Sequence, residues 1–153
     1  MKILVASDSH GLALRLLDAI QAEQPDLLIF LGDGIRDLRH VHISYPNLMI
    51  EQVRGNCDHW SDGEEERVLQ LEGHPILLLH GHTRGVKLGL NRLRSLAKKL
   101  EVELVLYGHT HTPAHIEESG VSLFNPGSIG QFGRASYGVL EIEKSIQCRL
   151  VTL

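Results

Sequence analysis

The sequence is short of the features that mark specialised chains. It has only two cysteines, Cys57 and Cys148, far apart and in no paired spacing. That excludes a thiolate zinc or dithiol redox motif and suits free thiols in a reducing compartment. It has no run near the roughly 18 apolar residues that a membrane helix needs, and Met1–Lys2–Ile3 leads into a strand pattern rather than a secretion signal. A soluble, cytoplasmic protein is expected. Positive charge is not in excess either, since the net charge is -4, so composition supplies no general affinity for nucleic acid. No internal repeat, low-complexity tract or linker interrupts the chain. With 42% hydrophobic and 22% charged residues over 153 positions, it fits one globular domain, 1–153, and not a disordered, coiled-coil or collagen-like chain.

What the sequence does contain is short apolar runs and ten histidines. The runs Lys2–Ser7, Leu27–Leu31, Leu48–Arg54, Pro75–His80 and Glu103–Tyr107 are read as buried strands. Leu12, Ala13, Leu16, Leu17 and Ile20 recur on one helical face within Gly11–Gln24, before Pro25. A second helix is predicted over Val86–Leu100. Three more strands follow, Val121–Asn125, Tyr137–Glu143 and Gln147–Leu153, in a half-exposed meander or hairpin pattern. The basic residues Arg84, Lys87, Arg92, Arg94, Lys98 and Lys99 fall on one segment and are read as a solvated helix face.

The informative residues are those that end the strands. The first run closes in Ser7–Asp8–Ser9–His10, the second in Gly32–Asp33–Gly34 and the third in Gly55–Asn56–Cys57–Asp58. The fourth and fifth close in His80–Gly81–His82 and Gly108–His109–Thr110–His111. Taken singly, each polar residue could be a turn former, a helix cap or a surface histidine. Open α/β folds, however, gather functional groups beyond the carboxyl ends of their strands. Five strand ends would then bring Asp8, His10, Asp33, Asn56, His80, His109 and His111 to one place.

Carboxylate, imidazole and carboxamide donors without thiolate suit borderline divalent ions. Seven side chains exceed the needs of one ion and fit two that share a carboxylate, about 3.5–4 Å apart. Two such ions outweigh the charges of Asp8 and Asp33, so the site would attract an anion and stabilise a phosphoryl-transfer transition state. A water held between the ions would lose a proton near neutral pH and attack phosphorus in line.

The ordered set "SDSHG", "LGDG", "VRGNCD", "LLHGH", "YGHTHTP" and "NPGS" resembles the calcineurin-like metallophosphoesterase superfamily over nearly the whole chain, and within it the small YfcE/MJ0936-type phosphodiesterases. The resemblance implies an α/β fold built as a four-layer α/β/β/α sandwich. It implies that Asp8, His10 and His111 hold one ion, that Asn56, His80 and His109 hold the other, and that Asp33 bridges them. Asp33, Asn56, His80 and His109 then form the catalytic set. The expected cofactors are two divalent ions, Mn²⁺ first and Ni²⁺, Fe²⁺ or Zn²⁺ otherwise. The expected activity is phosphoester hydrolysis, of diesters rather than monoesters, by a metal-bridging hydroxide. The expected partner is a small phosphate ester, with no membrane and no nucleic acid, and exposed strands are compatible with a homodimer or higher homo-oligomer. The alternative is a non-catalytic protein-binding scaffold of the same fold, as in the retromer subunit; a nuclease using Arg84–Lys99 as a phosphate track is a third reading.

The sequence departs from the superfamily pattern at two points. Cys57 stands where many members carry histidine after the ligand asparagine; a thiol donates a proton poorly, so slower turnover and a preference for acidic leaving groups are expected. In the "GDxxD" motif Arg36 takes the last place, with Asp37 one beyond it, so the supporting carboxylate has to come from elsewhere; Asp58 is a candidate for orienting a ligand histidine. Phe124–Ser128, "FNPGS", reads equally as a tight turn or a substrate contact.

Overall fold

A computed structural model describes residues 1–153. The chain runs β1 (Lys2–Ala6), α1 (Ala13–Glu23), β2 (Leu27–Phe30), α2 (Leu38–Ser44), β3 (Met49–Gln52), β4 (Glu66–Leu71), β5 (His74–Leu79), α3 (Asn91–Leu100), β6 (Leu104–Tyr107), β7 (Ala114–Glu118), β8 (Val121–Asn125), β9 (Ser136–Ile142) and β10 (Ile146–Thr152). Two five-stranded mixed sheets result, ordered β10-β9-β1-β2-β3 and β4-β5-β6-β8-β7. Each sheet contains three parallel strands: β1, β2 and β3 in the first, with β9 antiparallel beside β1, and β5, β6 and β8 in the second, flanked by antiparallel β4 and β7.

Alternation along the strands decides the layering. Ile3, Val5, Leu27 and Ile29 of the first sheet meet Ile76, Leu78, Leu104, Leu106 and Phe124 of the second in a single apolar cluster. The intervening residues Leu4, Ala6, Leu28 and Phe30 face the other way, onto Leu16, Ala19 and Ile20 of α1 and Leu38 and Val41 of α2. Leu77, Leu79, Val105 and Tyr107 likewise pack on Leu93 and Ala97 of α3. Strands buried on both faces read as continuous apolar runs, because each residue has a helix or a sheet opposite it. The order is helix, sheet, sheet, helix, the expected four-layer sandwich.

The differences from expectation lie at the edges. The second predicted helix starts at Asn91, not Val86, because Gly85 and Gly89 take φ of 62° and 145° and break the helical path between them. The third strand is shorter than Leu48–Arg54. Three elements went unpredicted: β4, β7 and α2. Arg67 in β4 and Glu117 and Glu118 in β7 are charges tolerated because both strands are sheet edges. In α2, seven residues long, only Leu38 and Val41 are buried, too few to show a helical period. No helix is long and apolar enough to cross a membrane.

Candidate metal centre

The carboxyl ends of β1, β2, β5 and β6 and the segment after β3 open on one side, and their loops bring all seven candidate residues together. Backbone bonds between neighbouring strand ends set the arrangement: Asp8 N–H donates to Gly32 O at 2.9 Å, His10 N–H to Asp33 O at 3.2 Å and Gly108 N–H to His80 O at 3.0 Å. Gly32 is obligatory for this approach. Its φ is +98°, and a Cβ there would lie 2.4 Å from the backbone nitrogen of Gly55.

Two trios of ligand atoms result. Asp8, His10 and His111 form one: His111 Nε2 lies 3.0 Å and His10 Nε2 3.6 Å from Asp8 Oδ1, and the two ring nitrogens are 3.4 Å apart. Asp33, His80 and His109 form the other, with His80 Nε2 3.3 Å from Asp33 Oδ2 and 3.2 Å from His109 Nδ1. Asn56 Oδ1 joins the second at 3.1 Å from His80 Nε2. Asp33 also stands with His10 and Cys57 in a third grouping, which places it between the trios.

The donor chemistry fits cations. His80 donates its Nδ1–H to Leu31 O at 2.7 Å, which in the neutral ring leaves Nε2 as a lone pair. That lone pair faces the Asn56 oxygen, an Asp33 oxygen and a His109 nitrogen, a set of acceptors turned towards one another inside a buried cluster. Such a set is costly unless protons or metal ions lie between its members.

The electrostatics of the bare cluster agree. Burial alone would raise the Asp8 carboxyl, but hydrogen bonds with His10 and His111 and the charge of His80 hold it well below the usual carboxylate range. Asp33 is opposed by burial in the same way and held down to about 2 by His80 and the Cys57 N–H. Burial depresses His80, yet Asp33 and Asp8 outweigh it and leave its pKa raised. His109 is pushed down to about 4 by burial and then by repulsion from His80. At Cys57, lost solvation and then the Asp33 carboxylate push the thiol up to about 11, although part of the side chain still faces solvent.

Five of the nine non-glycine residues with positive φ are site residues: Asp8, His10, Asp33, His109 and His111, at 45° to 68°. The left-handed region disfavours side chains with a Cβ, so these loops hold strained backbone and the surrounding structure must over-determine it. The other four, Gln24, Glu72, Glu101 and Ser119, lie at helix ends and hairpin turns.

Several buried residues supply that support. Asp58, 2% exposed, accepts the backbone N–H of Asp33 at 2.7 Å, Gly34 at 3.0 Å, Ile35 at 3.1 Å and Gly55 at 2.8 Å. It therefore clamps two loops and does not orient a histidine, a correction to the expectation. The supporting carboxylate sought near Arg36 is Asp37, which receives Ser9 Oγ–H at 2.5 Å and Gly11 N–H at 2.9 Å and so braces the His10 loop. Phe124–Ser128 is the end of β8 and the segment that follows it, and its buried side chains hold ligand loops: Asn125 Nδ2 donates to Gly108 O at 3.1 Å and to Thr110 Oγ1 at 3.0 Å, and Ser128 Oγ donates to Asp8 O at 2.8 Å. Sequence reasoning flagged that stretch without its role and missed Ser9, whose signal was its place between Asp8 and His10. Along the proposed basic segment, Arg84 is engaged by Glu66 and Arg94 by Glu118, so the supposed phosphate track is partly neutralised.

The fold and this cluster are those expected of the metallophosphoesterase family, and comparison with known proteins shows the family. Residues 1–145 match the calcineurin-like phosphoesterase superfamily domain, and the chain belongs to that family. It is 33% identical over 149 residues to the probable metallophosphoesterase YsnB of Bacillus subtilis, covering 94% of this chain and 85% of that one. It is 29% identical over 169 residues to the phosphodiesterase YfcE of Escherichia coli, covering 92% and 88%; the solved YfcE structure superposes with a TM-score of 0.69. Vps29 of Entamoeba histolytica, solved with Zn²⁺, shares the fold with a TM-score of 0.76 at 22% identity, covering 99% of both chains.

Proposed function

We propose that residues 1–153 form one domain that is a dinuclear metal-dependent phosphodiesterase, with Asp8, His10 and His111 holding one ion, Asn56, His80 and His109 the other, and Asp33 serving both. The observation that carries this reading is the facing set of imidazole, carboxylate and carboxamide ligand atoms in two adjoining trios. Two divalent ions there would supply Lewis acidity to the phosphoryl oxygens and acidify a water, Mn²⁺ being the first candidate on the family resemblance and Ni²⁺, Fe²⁺ or Zn²⁺ the others. The chain's own part is to fix the donors. His80 is held by Leu31 O, Asp8 by His109 N–H and Ser7 Oγ–H, and Asp33 by Cys57 N–H, so little reorganisation is needed when an anion arrives. The substrate is a small phosphate ester and the setting the cytoplasm; whether copies of the chain associate does not enter the chemistry.

Protein supplied with Mn²⁺ should hydrolyse bis(4-nitrophenyl) phosphate, and Asp33→Asn or His109→Ala should abolish the release of nitrophenolate. Wild-type rates in both variants would end the two-metal reading. The second reading is a scaffold that binds protein without catalysis, the alternative that the family resemblance leaves open. Retention of all seven donor residues argues against it, and an absence of hydrolysis under every metal would restore it.

A further inference from the structure

A groove beside the metal centre carries chemistry that phosphoester hydrolysis alone does not require. Between α2 and the loop after Asn56 it is lined by Arg36, Arg39, His40, His42, Ile43 and Trp60. All six are exposed, and Trp60, the chain's one tryptophan, is 49% exposed. The Arg36 guanidinium sits over the Trp60 ring with its central carbon 4.5 Å from the ring centroid, which holds the indole at the rim and leaves it partly open. Both residues are tied to the centre by short spans: Arg36 follows Asp33 by three positions and Trp60 follows Asn56 by four.

The charge of this groove runs against that of the molecule. The chain has a net charge of -4, and several of its cations are paired with acids, as Lys2 and Arg149 are with Glu23, Arg54 with Glu65 and Arg67 with Glu51. Arg36 and Arg39 have no carboxylate partner. The one acid in the lining, Asp37, is buried and turned inward onto Ser9 and Gly11. Unpaired guanidinium groups recognise phosphate, and an indole face recognises a planar ring.

Resting on the phosphodiesterase reading above, we infer that this groove receives the arm of the substrate beyond the reacting phosphorus, and that the arm is a nucleoside or nucleotide whose base stacks on Trp60 and whose anionic group meets Arg36 and Arg39. A phosphate ester with an aliphatic arm would leave the indole uncovered. A neutral aromatic arm would leave the two guanidinium groups unmatched.

A single tryptophan makes the groove directly observable. Trp60 fluorescence is followed while adenosine 5′-monophosphate is added to chelator-treated protein and to Mn²⁺-loaded protein, with ribose 5-phosphate as the ligand lacking a base. The nucleotide should change the emission saturably and ribose 5-phosphate should not, and Arg36→Ala combined with Arg39→Ala should weaken nucleotide binding about tenfold. Kinetically, Trp60→Ala should raise KM for the nitrophenyl ester of thymidine 5′-phosphate about tenfold more than for methyl nitrophenyl phosphate. Emission indifferent to the nucleotide, or equally sensitive to ribose 5-phosphate, overturns the inference even if bis(4-nitrophenyl) phosphate is hydrolysed. Saturable nucleotide binding without hydrolysis under any metal would uphold the groove and overturn the phosphodiesterase reading instead.

Discussion

Asp58→Asn tests how the fold holds the candidate centre. The Asp58 carboxylate, 2% exposed, receives four backbone N–H groups: those of Gly34 and Ile35 on Oδ1 and those of Asp33 and Gly55 on Oδ2. An amide keeps the shape but removes the charge, and it turns an NH₂ towards one of those pairs of donors. Two hydrogen bonds to a charged acceptor are then lost and two N–H groups are left unsatisfied. At about 1–3 kcal/mol for each buried unsatisfied group, and allowing for relaxation, the cost is about 2–4 kcal/mol. With the slopes usual for urea unfolding, that lowers the midpoint by about 1–2 M. Because either freed pair includes the N–H of Asp33 itself or that of its neighbour Gly34, Mn²⁺ affinity measured by isothermal titration calorimetry should fall about 10–100-fold as well. A variant that unfolds at the wild-type urea concentration and binds Mn²⁺ as tightly as wild type would refute the clamp.

Two further perturbations probe the scaffold. Gly32→Ala forces a Cβ to within 2.4 Å of the Gly55 nitrogen at a φ of +98°, so the chain should lose about 2–4 kcal/mol in urea unfolding; unchanged stability would show that the two loops do not meet as described. Glu23 binds Lys2 Nζ at 2.8 Å, Arg149 Nη2 at 3.0 Å and the Tyr137 hydroxyl at 3.0 Å. Burial raises its carboxyl, but these partners outweigh burial and hold its pKa below the ordinary glutamate value. A depressed carboxyl in the folded state stabilises above the unfolded pKa and loses that contribution as pH falls through the folded value. Glu23→Gln should therefore cost about 1–2 kcal/mol at pH 7, and the penalty should shrink as pH falls below the ordinary glutamate range, the partners Lys2 and Arg149 being partly exposed. A penalty that stays constant throughout acid titration would assign the effect to packing.

Depth of burial separates the legible elements from the illegible ones. β1, β2, β5 and β6 are buried on both faces, so apolar residues were demanded at every position and the runs stood out. β4 and β7 are edges whose outward residues are partly solvated and carry charges, and α2 buries two side chains; no strong pattern was required of them. The seven donors were legible because each lies within about four residues of a strand end. Their supports were not: Asp58 and Asp37 are ordinary acids in sequence, and their partners are backbone N–H groups that carry no residue identity.

Sequence alone determined the four buried strands, the helices α1 and α3, the donor types and the side of the sheets on which they emerge, since local periodicity and strand direction are properties of consecutive residues. Tertiary structure decided the rest. It chose which donors stand within about 3–4 Å of one another, put Asp33 between the two trios, bent five site residues into left-handed backbone, and joined Arg36 to Trp60 across 24 positions of chain. Those distances depend on how the two sheets pack and which loops touch, and contacts between remote segments leave no local period to read.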